Sequence, residues 1–190
     1  PVARSGKAGN QVLDLKTGSL KTTIGKEGLN PLAFSPDGQT LVSSSSDRVT
    51  DTEPYPILNG KPISNIEIWN LSTGKLKTTF PSEDGDVNLV AISPDGQTVV
   101  SSGNSIRTDM SMRQIIRNNT INIRDVKTDQ VKTTFSEKID FSSDFEKSID
   151  QLTISADEQT FVTRRGRKTS KTWDINTGSL KATLTNPKKS

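Results

Sequence analysis

Neither cysteine nor histidine occurs in the 190 residues. Without thiols there is no disulfide, no thiolate nucleophile and no cysteine-held zinc or iron–sulfur centre. Without imidazole there is no Ser–His–Asp triad and no histidine metal ligand. Aromatic residues are scarce at 5% and hydrophobic residues reach only 29%, so any core must be thin and distributed. No apolar run exceeds Leu89-Val90-Ala91-Ile92, against the roughly 20 residues a membrane span needs. No secretory apolar core precedes residue 20. The sequence opens at Pro1, which leaves a removed initiator, a processed precursor and a fragment all open.

What is present favours strands. Leu, Ile, Val and Phe make up about 24% of the chain, just above the roughly 20% below which disorder is the better expectation. Thr, a strand-favouring residue, is abundant. The net charge is +3 with 25% charged residues. A soluble, β-rich, polar chain is expected, of a length that suits one domain.

Two blocks recur. Ser35-Pro36-Asp37-Gly38-Gln39-Thr40 returns as Ser93-Pro94-Asp95-Gly96-Gln97-Thr98, and in weaker form as Ser155-Ala156-Asp157-Glu158-Gln159-Thr160. Short apolar runs flank each copy, so each reads as strand, turn, strand: Pro presets φ, Asp caps the turn and Gly takes the position that penalises a Cβ. The second block appears four times, at Leu13–Gly18, Trp69–Gly74, Arg124–Asp129 and Trp173–Gly178. Each is followed by a tail of the type Leu20-Lys21-Thr22-Thr23-Ile24, repeated at Leu76–Phe80, Val131–Phe135 and Leu180–Leu184. That block is a second hairpin, with half-buried alternation in Ile66-Glu67-Ile68-Trp69.

In order, the chain reads c-d followed by three copies of a-b-c-d. Tandem four-stranded antiparallel meanders are the sequence form of a β-propeller. The pattern AFSPDGQTL…IWN…TGKL resembles WD40 repeats of the bacterial kind over nearly the whole chain. The fold class expected is therefore all-β, a β-propeller of four-stranded WD40-like blades, partial or completed by other segments. Residues 1–24 are expected to form a c–d hairpin, residues 29–80, 87–135 and 150–184 full blades, and 185–190 a tail. Departures are visible: no Gly-His dipeptide is possible, and Arg124 and Leu13 stand where Trp69 and Trp173 stand in their blades. The family's Trp–Ser/Thr–His–Asp network is incomplete in every blade, and looser blades are expected.

The repeat spacing is 56, 55 and 49 residues between Asp14, Asn70, Asp125 and Asp174, against about 40–45 in a standard repeat. The a–b and c–d turns keep their length. Insertions fall in b–c, at residues 48–64 and 105–119, and in d–a, at 136–150. Alternate connections of a meander emerge at opposite ends, so the inserted length should collect on one face, where binding usually sits. Residues 1–9 are too few and too polar to supply an a–b pair, and a second copy would bring another unpaired c–d hairpin. A strand-completing partner segment or further blades are therefore expected.

Arg164, Arg165, Arg167 and Lys168, with Lys171, form the densest basic cluster, in the last b–c loop. The six inserted and d–a segments together carry a formal charge of only +1, and no aromatic interleaves the arginines. Nucleic acid is thus an unfavoured partner. Asp140, Asp144, Glu146 and Asp150, and the Glu83-Asp84-Gly85-Asp86 run, lack the calcium-loop spacing, so no metal or other cofactor is expected. Phe141 and Phe145 flank the first acidic group and are read as tucking the loop onto its own blade. Tyr55 and Ile57, in Pro54-Tyr55-Pro56-Ile57-Leu58, form a rigid hydrophobic projection suited to anchoring a protein partner. Ile106–Arg117 is compatible with a short helix or an irregular loop. Lys21, Lys77, Lys132 and Lys181 recur on every d strand, where Lys blocks edge-to-edge pairing. The expectation is a non-enzymatic scaffold binding an unidentified protein through Tyr55, Ile57, Arg164, Arg165, Arg167 and Lys168. The alternative is a small-ligand, carbohydrate or anion binder using the same face or the central channel.

Overall fold

The computed structural model describes residues 2–6, 9–14, 16–25, 30–46, 57–58, 61–62, 64–82, 86–109, 114–138, 149–166 and 169–185. They divide into two compact units: residues 1–87 with 94–96, and residues 88–93 with 97–190. All regular structure among the described residues is β.

In the first unit, β1 (Val2–Gly6), β2 (Gly9–Leu13) and β3 (Leu20–Ile24) form an antiparallel three-stranded sheet in chain order. The polar opening segment is therefore a strand, one more than a c–d hairpin. It pairs rung by rung with β2 from Gly6↔Gly9 to Val2↔Leu13. The backbone ladder does not need apolar side chains, which is why composition concealed this strand. The next sheet runs β4 (Asn30–Phe34), β5 (Thr40–Ser46), β8 (Ser64–Asn70) and β9 (Lys75–Pro81). Between β5 and β8 lies a small ribbon of β6 (Ile57–Leu58) and β7 (Lys61–Pro62).

The second unit contains two four-stranded meanders. One comprises β10 (Asp86–Ile92), β11 (Thr98–Asp109), β12 (Gln114–Asp125) and β13 (Val131–Lys138), the other β14 (Gln151–Ile154), β15 (Thr160–Arg165), β16 (Thr169–Asp174) and β17 (Leu180–Thr185). Of the segment Ile106–Arg117, residues 106–109 and 114–117 are strand, neither helix nor irregular loop. β11 and β12 stay in register out to Asp109↔Gln114, whereas β13 pairs β12 only as far as Asn118↔Lys138. A two-stranded ribbon thus continues beyond the sheet. No Gly, Pro or Asn punctuates Ile106–Arg117, so the turn signal that marks a hairpin was missing.

Both units bury the same positions. In the first, Val12 and Ile24 pack with Leu41 and Leu71, with Phe34 and Trp69 at the margin. In the second, Val100, Ile121 and Ile123 pack with Phe161, Trp173 and Ile175, together with Ile149 and the partly buried Phe135. Each core lies between the c and d strands of one sheet and the b strand, c strand and c–d turn of the next. Burial of this stripe is the main stabilisation available to each pair of sheets.

The turns are built from the repeated polar residues. Ser35 Oγ donates to the Asp37 carboxylate, and Oδ1 of Asp37 accepts the Gln39 N–H at 2.9 Å. The Thr40 N–H returns to Ser35 Oγ at 2.9 Å. Ser155, Asp157 and Thr160 reproduce the arrangement. At each c–d turn one side-chain oxygen accepts two successive N–H groups: Asp14 from Lys16 and Thr17, Asn70 from Ser72 and Thr73, Asp125 from Lys127 and Thr128, Asp174 from Asn176 and Thr177. Each chain then passes through the left-handed region, at Gly18, Gly74, Asp129 and Gly178. The two turn types are tied together, because the N–H of Leu71, Val126 and Ile175 donates to the carbonyl of Gln39, Gln97 and Gln159.

The d-strand lysines hold an unexpected place. The c–d register skips one residue in every sheet: Val12↔Thr22 then Leu13↔Leu20, Ile68↔Thr78 then Trp69↔Leu76, Ile123↔Thr133 then Arg124↔Val131, Thr172↔Ala182 then Trp173↔Leu180. The skipped residues are Lys21, Lys77, Lys132 and Lys181, each the extra residue of a β-bulge, a device that breaks the edge ladder and increases local twist.

Candidate interaction surface

Arg164 and Arg165 end β15, opposite Ser170 and Thr169 of β16. The carbonyl of Arg164 accepts the Asp150 N–H at 2.9 Å, and its Nε lies 3.7 Å from Asp150 Oδ1. Both side chains are about half exposed, so the pair is screened and adds little stability. The contact brings a d–a residue and the b–c arginine to the same end of this sheet. Lys171 projects its ammonium 5.7 Å from the Trp173 ring centroid, a cation–π geometry. Ile57 lies in the β6–β7 ribbon, in the other unit. Tyr55, Arg167 and Lys168 lie outside the described residues, as do Glu83, Asp84, Gly85, Asp140, Phe141, Asp144, Phe145 and Glu146. The structure therefore joins Arg164 and Arg165 on one strand end, and places Ile57 in a separate unit.

Two tryptophan–hydroxyl bonds, part of the network that the WD40 resemblance implies, are present. The indole Nε1 of Trp69 donates to Ser43 Oγ at 3.0 Å, and that of Trp173 to Thr163 Oγ1 at 2.9 Å. In the β10–β13 sheet, Arg124 replaces the tryptophan and is almost fully buried. Its Nη1 donates to both the carbonyl and Oδ1 of Asp129, at 3.0 and 2.9 Å. Asp129 itself occupies the turn position that is glycine in the other three copies. The two departures thus compensate each other. The signal was in the sequence, since Trp and Gly change together in the same copy, but only the structure shows that the two replacements touch.

The turn aspartates are tuned as anions. The Lys181 ammonium, 2.9 Å from Asp174 Oδ2, together with the turn N–H groups, holds that carboxyl far below the usual carboxylate range. The backbone N–H groups of the turn lower Asp14 and Asp125, the latter with Lys132 3.6 Å away. The hydroxyls of Ser35 and Ser155 lower Asp37 and Asp157. These groups sit where they order turns, and at Asp125 and Asp174 the bulge lysine of the following strand is the ion-pair partner. No group of three or more acidic side chains placed to hold a metal occurs among the described residues, and no helix among them is long and apolar enough to cross a membrane.

Comparison with known proteins fits this architecture. The family described as "WD domain, G-beta repeat" matches residues 25–49 and 74–113. The small ribosomal subunit protein RACK1y of Oryza sativa subsp. japonica is 36% identical over 72 residues, 37% of this chain and 17% of that protein. Among solved structures, the Dos1 propeller superposes with a TM-score of 0.62 at 18% identity, covering 96% of this chain and 40% of that one. The RRP9 WD40 repeats give 0.56 at 18% identity, covering 86% and 41%. Kuenenia stuttgartiensis hydrazine synthase gives 0.64 at 14% identity, covering 97% and 58%. At such identities the superpositions speak for the fold alone, and the chain spans well under two thirds of each of these proteins. Repeated meanders, paired turns, tryptophan–hydroxyl bonds and the partial sequence match agree, and the chain is similar to WD40-repeat β-propellers, whose blade fold it shares.

Proposed function

We propose that the chain is a protein-interaction scaffold that presents its b–c and d–a connections to a protein partner, with Tyr55, Ile57, Arg164, Arg165, Arg167 and Lys168 as contact residues. The observation that carries this reading is the form of the b–c insertions. β11 and β12 continue as a ribbon past the end of β13, and the β5–β8 connection contains the β6–β7 ribbon. Ribbons of this kind present backbone edges and side chains in fixed order, as strand-addition and anchor recognition require. The arrangement of the charged groups supports binding over catalysis, because the shifted carboxylates are committed to turns.

The test uses the immobilised chain and three versions of it: wild type, Arg164→Glu with Arg165→Glu, and Tyr55→Ala with Ile57→Ala. Proteins retained from an extract of the source cells are identified by mass spectrometry and remeasured with purified components. The expected result is one partner whose Kd weakens at least tenfold in a surface variant that unfolds at the same temperature as wild type. Retention unaffected by all four substitutions would refute the assigned surface. A chain that retains no protein but unfolds later with a sugar or an inorganic anion would replace the scaffold by a ligand binder.

A further inference from the structure

Asp150 is an exposed residue on a fixed backbone. Ile149 before it is buried in the core of the second unit. Gln151 after it pairs with Arg164 in the β14–β15 ladder. The Asp150 N–H adds one more bond to that ladder by donating to the Arg164 carbonyl at 2.9 Å. A carboxylate is therefore held next to the Arg164 side chain wherever the two side chains point.

The side chains make little use of this nearness. Arg164 Nε lies 3.7 Å from Asp150 Oδ1, too far for a hydrogen bond. Among the described residues, neither the guanidinium nor the carboxylate has a hydrogen-bond partner. The two side chains are 50% and 42% exposed. A guanidinium carries five donors in a planar fork that fits a carboxylate through two parallel bonds. An incoming carboxylate can thus form a better contact with Arg164 than Asp150 does. Arg165 follows on the same strand, and Ser170 and Thr169 stand opposite the two arginines on β16.

Resting on the contact surface proposed above, we propose that Asp150 is an intramolecular competitor for Arg164, displaced by a carboxylate of an acidic peptide segment in the protein partner. Asp150 is already half exposed, so its carboxylate turns to water when the partner takes the guanidinium. A built-in competitor of this kind sets a threshold: a partner must offer a well-placed carboxylate to displace it, which sharpens specificity without adding a contact. Nucleic acid fits the site less well, because it binds by neutralising a run of phosphates, and the inserted and d–a segments together carry only +1.

The probe is a fluorescein-labelled octaglutamate peptide, its binding followed by anisotropy at low ionic strength. Wild type should bind it, Arg164→Gln should bind it more weakly, and Asp150→Asn should bind it about two- to fivefold more tightly, the range an exposed ion pair spans. Asp150→Asn keeps the backbone N–H, so its unfolding temperature should match wild type. Combined with Arg164→Gln, the Asp150→Asn gain should vanish. A gain that persists in the double variant is long-range charge and overturns the competition. Weaker binding in Arg164→Gln with no gain in Asp150→Asn overturns the competition and leaves the contact surface standing. Peptide binding indifferent to Arg164→Gln overturns both. No peptide binding to wild type or to Asp150→Asn, or tighter binding of a single-stranded oligonucleotide of equal charge, overturns the acidic-peptide assignment.

Discussion

The β10–β13 and β14–β17 sheets finish their c strands in opposite ways. In the latter, Trp173 is buried against Phe161 and Phe135, at centroid distances of 6.2 and 4.7 Å, and its one polar atom is satisfied by Thr163. In the former, Arg124 fills the equivalent place and turns back on its own turn to reach Asp129. The tryptophan corner is held by apolar area, is indifferent to salt, and needs only one hydroxyl. The arginine corner is held by charge-assisted hydrogen bonds and needs an acceptor at a fixed turn position. A repeat can therefore lose its signature tryptophan without loosening, provided the turn changes with it. Looser blades were expected from the sequence, and at this corner the structure shows an ordered substitute.

Removing each anchor measures the difference. Trp173→Ala takes the largest side chain out of the second unit's core and should destabilise it by about 3–5 kcal/mol, the range for large aromatic truncations. The check is the denaturant midpoint followed by circular dichroism, since so few aromatics limit fluorescence. Asp129→Ala should cost less, about 1–2 kcal/mol: it leaves the Asp129 carbonyl in place for Arg124, and the lost carboxylate is half exposed. Its effect should shrink in high salt, whereas that of Trp173→Ala should not. Equal salt dependence would erase the distinction between the corners.

The sequence carried the repeat order because turns use residue types with a mechanism: Ser, Pro, Asp and Gly in the a–b turn, Asp or Asn with Thr and Gly in the c–d turn. It did not carry β1, whose Val2-Ala3-Arg4-Ser5-Gly6 lacks an apolar stripe and forms a full ladder with β2. Nor did it show that Lys21, Lys77, Lys132 and Lys181 are bulge residues, because a bulge is a property of register between two strands and leaves no mark in one. Of the proposed contact residues, Arg164 and Arg165 are the part of the basic cluster that falls on described backbone, at the end of β15. The pairing of Arg164 with Asp150 was not legible, because it joins connections separated by a strand pair.

Among the described residues, two non-glycine residues share the left-handed conformation, Asp129 at φ 58° and Glu158 at φ 59°, and they sharpen the comparison. Glu158 stands where Gly38 and Gly96 stand in the other a–b turns. Relieving its backbone by Glu158→Gly should stabilise the chain by about 1 kcal/mol, the cost of a left-handed L-residue. Asp129→Gly relieves the same strain but removes the Arg124 carboxylate, so its net effect should be destabilising. Thermal unfolding of the two variants side by side reads the contrast as shifts of opposite sign.

The smallest effect is in acid. Lys181 and the turn N–H groups depress the Asp174 carboxyl in the folded chain, while in the unfolded chain it returns to about 4. A depressed carboxylate contributes its stability in full above that unfolded value and loses it as pH falls through the lower folded one. Asp174→Asn removes this contribution but keeps the turn, because Asn70 holds the same two N–H groups through its amide oxygen. The denaturant midpoint should therefore fall slightly at pH 7 and less at pH 2, narrowing the gap between the two. Asp14, Asp37, Asp125 and Asp157 are shifted in the same direction, so the gap should narrow and not vanish. At Asp125 the nearest lysine is farther, at 3.6 Å, and the turn N–H groups lead the shift. Asp125→Asn, next to the arginine corner, should accordingly narrow the gap less than Asp174→Asn does next to the tryptophan one.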